Sequence, residues 1–309
     1  MWGLVGLSYR SHNGSILVLA PVPDNLNLDS GGFSALPHLE YVALRGPDAV
    51  AFAQAQFAND VQALQVGQWQ WNAWLNVKGR VIALFALLRQ ADDTLLALLP
   101  DGGASELAAA LGRFVFRRKL RIAAEDDLRA HGRLSLPAQA QGALSATGKD
   151  GAIELDMGGD GLSRTLRLMP AQATLAADPG IVDAWREADL RLGLARLAPD
   201  QHEQWTPQQL GLDRLHAFSV KKGCYPGQEI VARTHFLGKA KRALQLLELE
   251  APVATGAPVL REGEPIGSVI SIAGTLALAV LPLEETPPSG LQVETRAAHW
   301  QPLREGLAR

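Results

Sequence analysis

Three strand-like segments between residues 68 and 99 constrain the fold of this chain more than any other feature of its sequence. The segment 68–75 alternates between polar and apolar residues, 80–89 is apolar at nearly every position, and 94–99 follows after a short turn. Because the connecting turns are only a few residues long, consecutive segments pair side by side as antiparallel strands. The apolar middle segment indicates a strand buried on both faces. The sequence therefore predicts a body built around an antiparallel meander.

Helices are predicted between and after these strands, which makes the fold class α+β. Gly46-Pro47-Asp48 opens a helix that runs to about residue 58, because proline suits the first turn and an acidic side chain suits the positive end of the helix dipole. Apolar residues at helical spacing predict a second helix over 106–118. The remaining elements are expected as helices over 181–188 and 207–215, and as strands over 15–19, 41–44, 153–155 and 164–169.

The character of the sequence changes near residue 240. The segments 243–249, 259–261, 266–272 and 276–283 are short and strand-like, and glycine or proline separates each from the next. Short strands at regular spacing with such turns are typical of a small barrel or sandwich. We therefore expect a body over 1–240, made of two intertwined subdomains with an exposed connection near 137–150, and a β-barrel over 241–309.

Composition indicates a folded protein without disulfides. The chain has 309 residues, of which 47% are hydrophobic and 20% charged, enough to build a sizeable core. Its single cysteine excludes an intramolecular disulfide and a self-contained cysteine-rich metal site, and it fits a reducing compartment. The first residues form a poor signal peptide, and the longest apolar run, 81–88, is too short to span a bilayer. We expect a cytoplasmic protein with no membrane contact.

Positive charge is concentrated in two short segments. The net charge is −3, so the surface as a whole will not attract nucleic acid, yet eleven of the 29 lysines and arginines fall in these segments. They are Arg113, Arg117, Arg118, Lys119 and Arg121 in the first, and Lys221, Lys222, Arg233, Lys239, Lys241 and Arg242 in the second. If both segments face one cleft, that cleft attracts an anion. The alternative is two ordinary solvated faces.

The only cysteine lies in a polar, glycine-flanked segment. Lys221 and Lys222 precede Cys224, and Gly223 and Gly227 stand on either side of it. A thiol beside fixed positive charge is stabilised as the thiolate, the form that acts as nucleophile and metal ligand. The alternative is a buried structural cysteine. The charged surroundings favour a functional thiol.

This segment also carries a family resemblance. Lys-Gly-Cys-Tyr-Pro-Gly-Gln-Glu at 222–229, followed by Val-Ala-Arg at 231–233 and Gly-Lys-Ala-Lys-Arg at 238–242, resembles the signature of the YgfZ-type folate-binding proteins, paralogues of the glycine-cleavage T-protein. The resemblance implies a T-protein-like body with a C-terminal barrel and with tetrahydrofolate or a derivative in a central cavity. It also implies a role in assembling or maintaining iron–sulfur clusters in client enzymes, including enzymes that thiolate tRNA.

The same resemblance assigns roles within the cysteine segment. Cys224 is expected to carry the activity as a thiolate tuned by Lys222, with His235 as a second candidate for that tuning. It could transiently hold a cluster iron, protect a cluster against oxidation, or form a mixed disulfide with a partner. One thiolate cannot hold a cluster alone, so further ligands would come from another molecule. Tyr225, Gln228 and Glu229 are expected to order the loop and to contact the folate.

Other expected folate contacts lie upstream. Asn76, Lys78 and Arg80 occupy a hairpin turn that is either solvated or, by the resemblance, part of the folate pocket. Trp69 and Trp71 share one strand face and are expected in the core, whereas Trp74 lies on the opposite face and is the candidate for stacking on a pterin. Arg117 is expected to bind a carboxylate of the glutamate tail, because guanidinium binds carboxylates bidentately. Asn59 and Asp60 are either a helix cap or ligand contacts.

One departure from the T-proteins argues against aminomethyl transfer. The true transferases carry aspartates in the strand after the polar turn, whereas 81–88 contains no acidic residue. An alanine or leucine cannot replace a carboxylate that acts as base or charge stabiliser. Two alternatives to a folate-binding accessory factor remain: a tetrahydrofolate-dependent one-carbon transferase, and a direct tRNA-binding module that uses the basic segments.

Overall fold

The computed structural model describes residues 32–172, 175–238 and 240–309. It confirms the α+β class, with two antiparallel sheets in the body and a closed C-terminal barrel. The strand predicted over 15–19 and the side chain of Lys239 lie outside the described residues. No helix in the described ranges is long and apolar enough to cross a membrane.

The elements of the body, in chain order, are β1 (Ser34–Ala35), β2 (Glu40–Arg45), α1 (Ala49–Gln56), β3 (Trp69–Leu75), β4 (Val81–Ala91), β5 (Thr94–Leu99), α2 (Ala104–Gly112), β6 (Arg121–Glu125), β7 (Leu128–Arg133), β8 (Ala146–Thr147), β9 (Ile153–Asp156), β10 (Thr165–Pro170), α3 (Pro179–Arg191) and α4 (Gln228–Phe236). The barrel elements are β11 (Arg242–Leu249), β12 (Pro258–Arg261), β13 (Glu264–Ala273), β14 (Leu276–Pro282), β15 (Leu291–Val293) and β16 (Arg296–Gln301).

The first sheet contains the predicted meander and has the strand order β3-β4-β5-β2-β6. Consecutive strands pair antiparallel, with Trp74 opposite Ala83. Side chains alternate between the two faces, so Trp69 and Trp71 enter the central core, whereas Phe85 packs with Phe52 of α1 in a second cluster. The prediction that Trp69 and Trp71 are core residues is confirmed.

The second sheet has the order β1-β7-β10-β9-β8 and packs against α3. Trp185 of α3 enters the central core between this helix and the sheet. Arg164 is fully buried there, and its Nη1 lies 2.6 Å from Asp189 Oδ1 on α3. A buried cation needs such a partner, because an unpaired charge in the interior is costly.

The barrel closes in the order β11-β14-β13-β12-β15-β16. Alternation along β14 shows how it is attached: Leu276 and Leu278 join the central core, while Ala277 and Ala279 face the barrel interior. The barrel is therefore packed on both sides of its strands.

A strap over residues 302–309 runs back from the barrel to the body. Trp71 Nε1 donates to Leu307 O at 2.9 Å, and Arg304 N donates to Arg191 O at 2.8 Å. Leu307 is 2% exposed and belongs to the central core. The core of the body is thus completed by residues that follow the barrel in sequence.

Three predicted helices differ from the structure. The segment 207–215 forms consecutive turns instead of a helix, and Gly211 within it has a φ of +64°. The helix predicted over 106–118 is α2, which ends at Gly112. After it, the backbone hydrogen bonds join residues three positions apart instead of four, from Arg113 N to Ala110 O and from Phe114 N to Leu111 O. Helix α1 likewise ends two residues before the expected position.

Candidate functional site

The cysteine loop joins the turns that end near His216 to helix α4. Cys224 is a free thiol on the exposed side of this loop. On the other side, Lys222 is 7% exposed and Tyr225 is 6% exposed. The loop therefore presents its thiol outward while the flanking lysine and tyrosine anchor it in the body.

Lys222 binds the carboxyl end of helix α1. Its Nζ donates to Gln54 O and Phe57 O at 2.6 Å each, and to Asn59 O at 3.0 Å. The last carbonyls of a helix lack intrahelical partners and carry the negative end of its dipole. Burial lowers the pKa of Lys222 to about 8, against a smaller opposing effect of Asp60. The charge of Lys222 is thus directed at α1.

The rest of the signature segment orders the loop. The Lys222 ammonium lies 5.0 Å from the centroid of the Tyr225 ring, and burial raises the pKa of Tyr225 to about 12. Gln228 Nε2 donates to Lys222 O at 3.1 Å. Glu229 is exposed in the first turn of α4. His235 lies seven residues along α4 from Gln228, about 10 Å of helix rise, so the helix separates it from the loop.

The segment 54–60 is a scaffold for this loop. Asn59 Nδ2 donates to Trp71 O at 2.9 Å and to His216 O at 2.6 Å, which ties the first sheet to the start of the loop. Asp60 Oδ1 accepts from Gln54 Nε2 at 3.1 Å. The sequence left open whether Asn59 and Asp60 form a helix cap or contact a ligand. In the structure both side chains form hydrogen bonds within the protein.

The polar turn after β3 is also held by internal bonds. Asn76 Oδ1 accepts from Lys78 N at 2.9 Å and from Arg80 N at 3.0 Å, and its Nδ2 donates to Glu203 Oε2 at 2.7 Å. Arg80 Nη1 donates to Gln204 O at 2.8 Å. Lys78 is exposed. Asn76 and Arg80 therefore fix the turn, and Lys78 is free to meet solvent or a ligand.

The polar turn and the cysteine loop touch through two glycines. Gly227 has a φ of +79°, and a Cβ placed on it would lie 2.5 Å from Asn76 O and 2.6 Å from Gly79 Cα. Gly79 has a φ of +69°, and a Cβ placed on it would lie 2.9 Å from Ile230 Cβ of α4. Only glycine fits such a contact without displacement. The two motifs that the sequence singled out thus form one assembly.

A cavity of about 690 Å³ opens beside strand β3. Trp74, at the end of β3, lines it together with Ile82 and Ala83 of β4. Trp74 is 4% exposed, and its Nε1 is buried without a hydrogen-bond partner among the described residues. A buried indole N–H without an acceptor is uncommon and suits a polar ligand atom.

Acidic residues also line this cavity, and the sequence did not reveal them. They are Glu40, Asp101 and Glu106, with His202 nearby. Asp101 Oδ1 lies 2.7 Å from Arg196 Nη2, and its Oδ2 accepts from Leu197 N at 3.1 Å. Burial raises the pKa of Asp101, against the effect of Arg196. Asp101 stands in a Pro-Asp-Gly-Gly turn, whose sequence signals only a turn.

Arg117 lies in the loop that follows α2, whose Leu107 and Ala110 line the cavity. The Phe114 ring packs edge-on against Trp74 with centroids 5.9 Å apart. The Arg117 guanidinium stacks on Phe116 at 4.9 Å. The loop therefore begins at the wall of the cavity.

Several of the other predicted cations are paired, buried or located on a different element. Arg121 pairs with Glu125 at 3.1 Å, and Lys222 is buried, so neither belongs to an open basic cleft. Arg233 is exposed on α4. Within the part of the chain that the structure describes, no group of three or more His, Cys, Asp or Glu residues could hold a metal ion.

Comparison with known proteins finds both parts of this architecture in other proteins. The model of the CAF17 C-terminal beta-barrel domain matches residues 241–303. Aminomethyltransferase T of the glycine cleavage system from Bartonella henselae superposes with a TM-score of 0.66 at 17% identity, covering 86% of this chain and 83% of that one.

Two curated relatives match most of the chain. The tRNA-modifying protein YgfZ of Serratia proteamaculans is 30% identical over 269 residues, which is 78% of this chain and 81% of the relative. The human mitochondrial iron–sulfur cluster assembly factor IBA57 is 27% identical over 298 residues, 84% of this chain and 82% of that protein.

The fold and the cavity define a protein of the aminomethyltransferase T fold class, with a surface thiol loop anchored to the strand that lines the cavity. Within that class, the identity and coverage of the relatives decide the family. The chain belongs to the YgfZ family.

Proposed function

We propose that this protein binds tetrahydrofolate or a derivative in the cavity beside Trp74 and uses Cys224 to support iron–sulfur cluster assembly or repair in client enzymes. Effects on tRNA modification follow indirectly, through clients that thiolate tRNA. The names of the relatives support this, because one is a tRNA-modifying protein and another an iron–sulfur cluster assembly factor. We place this work in the cytoplasm, where thiols stay reduced.

The observation that carries the proposal is the contact between Gly227 and the turn after β3. The cysteine loop rests on that turn, and β3 ends in the cavity at Trp74. A ligand bound against Trp74 therefore lies against the same structural unit that holds Cys224 in place.

The residues around the cavity fit a folate. Its volume of about 690 Å³ is within the range of small-molecule sites. Trp74 offers a flat ring and a free N–H, Asp101 and Glu106 offer acceptors for ring N–H groups, and Arg117 offers a cation for a carboxylate. When bound, a reduced folate would supply the capacity to carry one-carbon units.

Cys224 is the residue that would meet the cluster, which is the cargo of the reaction. Its exposed sulfur can ligate one iron, hold a cluster against oxidation, or form a mixed disulfide with a partner. Four ligands are the norm for such clusters. The remaining ligands would therefore come from a client enzyme or an assembly protein.

A one-carbon transferase remains a second candidate because of Asp101. Strand β4 contributes the apolar residues Ile82, Ala83 and Leu84 to the cavity wall, but Asp101 brings a carboxylate from the turn after β5. A turnover assay with tetrahydrofolate and an aminomethyl donor tests it. Turnover that is lost in Asp101→Asn would favour the transferase over the accessory factor.

Calorimetric titration with tetrahydrofolate tests the proposed function. We expect binding by the wild type, affinity unchanged in Cys224→Ala, and affinity lowered about three- to tenfold in Trp74→Phe, which keeps the ring but loses the N–H donor. Trp69→Phe is the matched control, because Trp69 Nε1 already donates to Gly142 O and the ring faces the core.

The same variants separate the two parts of the proposal in cells. Cys224→Ala should fail to restore the activity of iron–sulfur enzymes in a strain that lacks the protein, although it binds tetrahydrofolate. Absence of binding by the wild type would remove the folate part of the proposal. Full restoration by Cys224→Ala would remove the role of the thiol.

A further inference from the structure

The loop between α2 and β6 is the most concentrated exposed positive charge next to the cavity. Four cations occupy seven positions: Arg113, Arg117, Arg118 and Lys119. All four are exposed, and no acidic residue occurs from 107 to 124. Among the described residues, none of the four side chains pairs with a carboxylate. Cations held together without counter-charges attract an anion of more than one charge.

Apolar exposure and backbone strain mark the same loop. Phe114 is 51% exposed and Phe116 is 74% exposed. Arg117 has a φ of +55°, a left-handed conformation that costs a residue with a side chain about 1–2 kcal/mol. Strain of this kind persists where the surrounding structure enforces it, often at a ligand site. Lys119 N donates to Asp48 Oδ2 at 2.6 Å, which fixes the far end of the loop on α1.

The loop continues the wall of the cavity. Phe114 packs against Trp74, and Trp74 lines the cavity together with Ala110, which is in the last turn of α2. A ligand whose ring occupies the cavity and whose tail leaves past Phe114 would run along the loop that carries these four cations. A monoglutamylated folate carries two carboxylates on its glutamate. A polyglutamylated folate has one more free carboxylate for each further γ-linked glutamate.

We propose that the loop 113–119 is a subsite for the poly-γ-glutamate tail of folate, so that the protein selects polyglutamylated over monoglutamylated tetrahydrofolate. This inference rests on the proposed folate site. It adds Arg113, Arg118 and Lys119 to the single carboxylate contact expected of Arg117. A nucleic acid is the less favoured polyanion, because the loop is joined to a small-molecule cavity and the net charge of the chain is −3.

Calorimetry with tetrahydrofolate monoglutamate and pentaglutamate, kept under argon, tests the proposal. Each exposed carboxylate–cation pair contributes a factor of about 1.4 to 5 in affinity, so we expect the wild type to bind the pentaglutamate about tenfold more tightly. In the triple variant Arg113→Gln, Arg118→Gln, Lys119→Gln, the ratio of the two affinities should fall to about one. In the wild type the ratio should shrink as salt rises from about 0.05 to about 0.5 M.

A control triple variant removes the same number of positive charges outside the loop 113–119. It combines Arg129→Gln, Lys149→Gln and Arg296→Gln, and it should leave the affinity ratio near its wild-type value. Equal affinities for both forms in the wild type would overturn the subsite while leaving the folate site intact. Absence of binding of either form would overturn the proposed folate site together with the subsite. Loss of tRNA binding in the loop variant, with an unchanged glutamate ratio, would show that the loop serves nucleic acid.

Discussion

At the scale of single residues, Lys222 is a buried cation that donates its hydrogen bonds to backbone carbonyls. Its three carbonyl acceptors belong to α1 and the residues just after it, so the side chain connects the cysteine loop to the first sheet and its helix. The expectation from sequence was a lysine that tunes the thiol of Cys224. The contacts support a positioning residue that holds the loop which carries Cys224.

Replacement of Lys222 by methionine distinguishes these roles. Methionine keeps much of the packing but removes the donor from three carbonyls, two of them in buried contacts, so we expect a loss of about 2 kcal/mol in the free energy of unfolding. Hydrogen exchange across 219–226 should rise. Urea unfolding and hydrogen-exchange mass spectrometry measure the two effects.

Lys221→Met is the matched control, because Lys221 is exposed and lies one residue further from Cys224. It should change neither stability nor exchange. A Lys222→Met variant with native stability and a protected loop, but with slower alkylation of Cys224, would instead show that the charge acts on the thiol.

The sequence identified some residues of the site and missed others for physical reasons. Cys224 was recognisable because a lone thiol among charges and glycines is chemically unusual, and Trp74 because strand alternation separated it from the core tryptophans. Asp101 was not recognisable, since its turn resembles any other and its ion pair with Arg196 joins residues 95 positions apart. Local pattern carries no information about such a contact.

At the scale of elements, the junction of the cysteine loop and the polar turn depends on Gly227. A side chain there would adopt a left-handed φ and collide with Asn76 and Gly79. We expect Gly227→Ala to lower the free energy of unfolding by about 2 kcal/mol or more, and to loosen the turn. Thermal and urea unfolding measure the loss.

Gly223 provides a control on the other side of Cys224. A Cβ at Gly223 would have no atom within 4 Å, and the residue is exposed. Gly223→Ala should therefore stay within about 0.5 kcal/mol of the wild type. Similar losses in both variants would mean that the loop needs glycine flexibility in general, and not the contact with the turn.

The elements that sequence predicted correctly are those with strong local periodicity. The meander and the barrel have alternating strands and short turns, so their pairing follows from neighbouring residues. The segment 207–215 has helix-compatible residues, but it is held as turns by contacts such as Gln208 Nε2 with Val231 O at 3.0 Å. Tertiary contacts decided this segment, and they are not visible in its own sequence.

At the scale of the whole molecule, His38 makes stability sensitive to acid. Both ring nitrogens are buried without hydrogen-bond partners among the described residues, and burial followed by the nearby Arg196 and Arg186 lowers the pKa of His38 to about 4. The unfolded chain binds a proton near the ordinary value of about 6.5, so stability is lost as pH falls from there towards 4.

We expect this histidine to cost about 2 kcal/mol of the free energy of unfolding between about pH 7.5 and about pH 5. Urea titrations at the two values measure it, and His38→Leu should remove that part of the difference. His299→Gln, on an exposed strand position, should leave it unchanged. An equal acid loss in His38→Leu would assign the sensitivity to other groups.

The strap over 302–309 has a consequence for how the protein is made. Leu307 and the carbonyl that accepts from Trp71 reach the body only after the whole barrel has been synthesised. While the ribosome is still translating β11 to β16, the body exposes the apolar site that Leu307 later fills. The nascent body therefore stays partly open until a segment that follows the barrel has been translated, and a chain truncated before Leu307 would leave that apolar site uncovered.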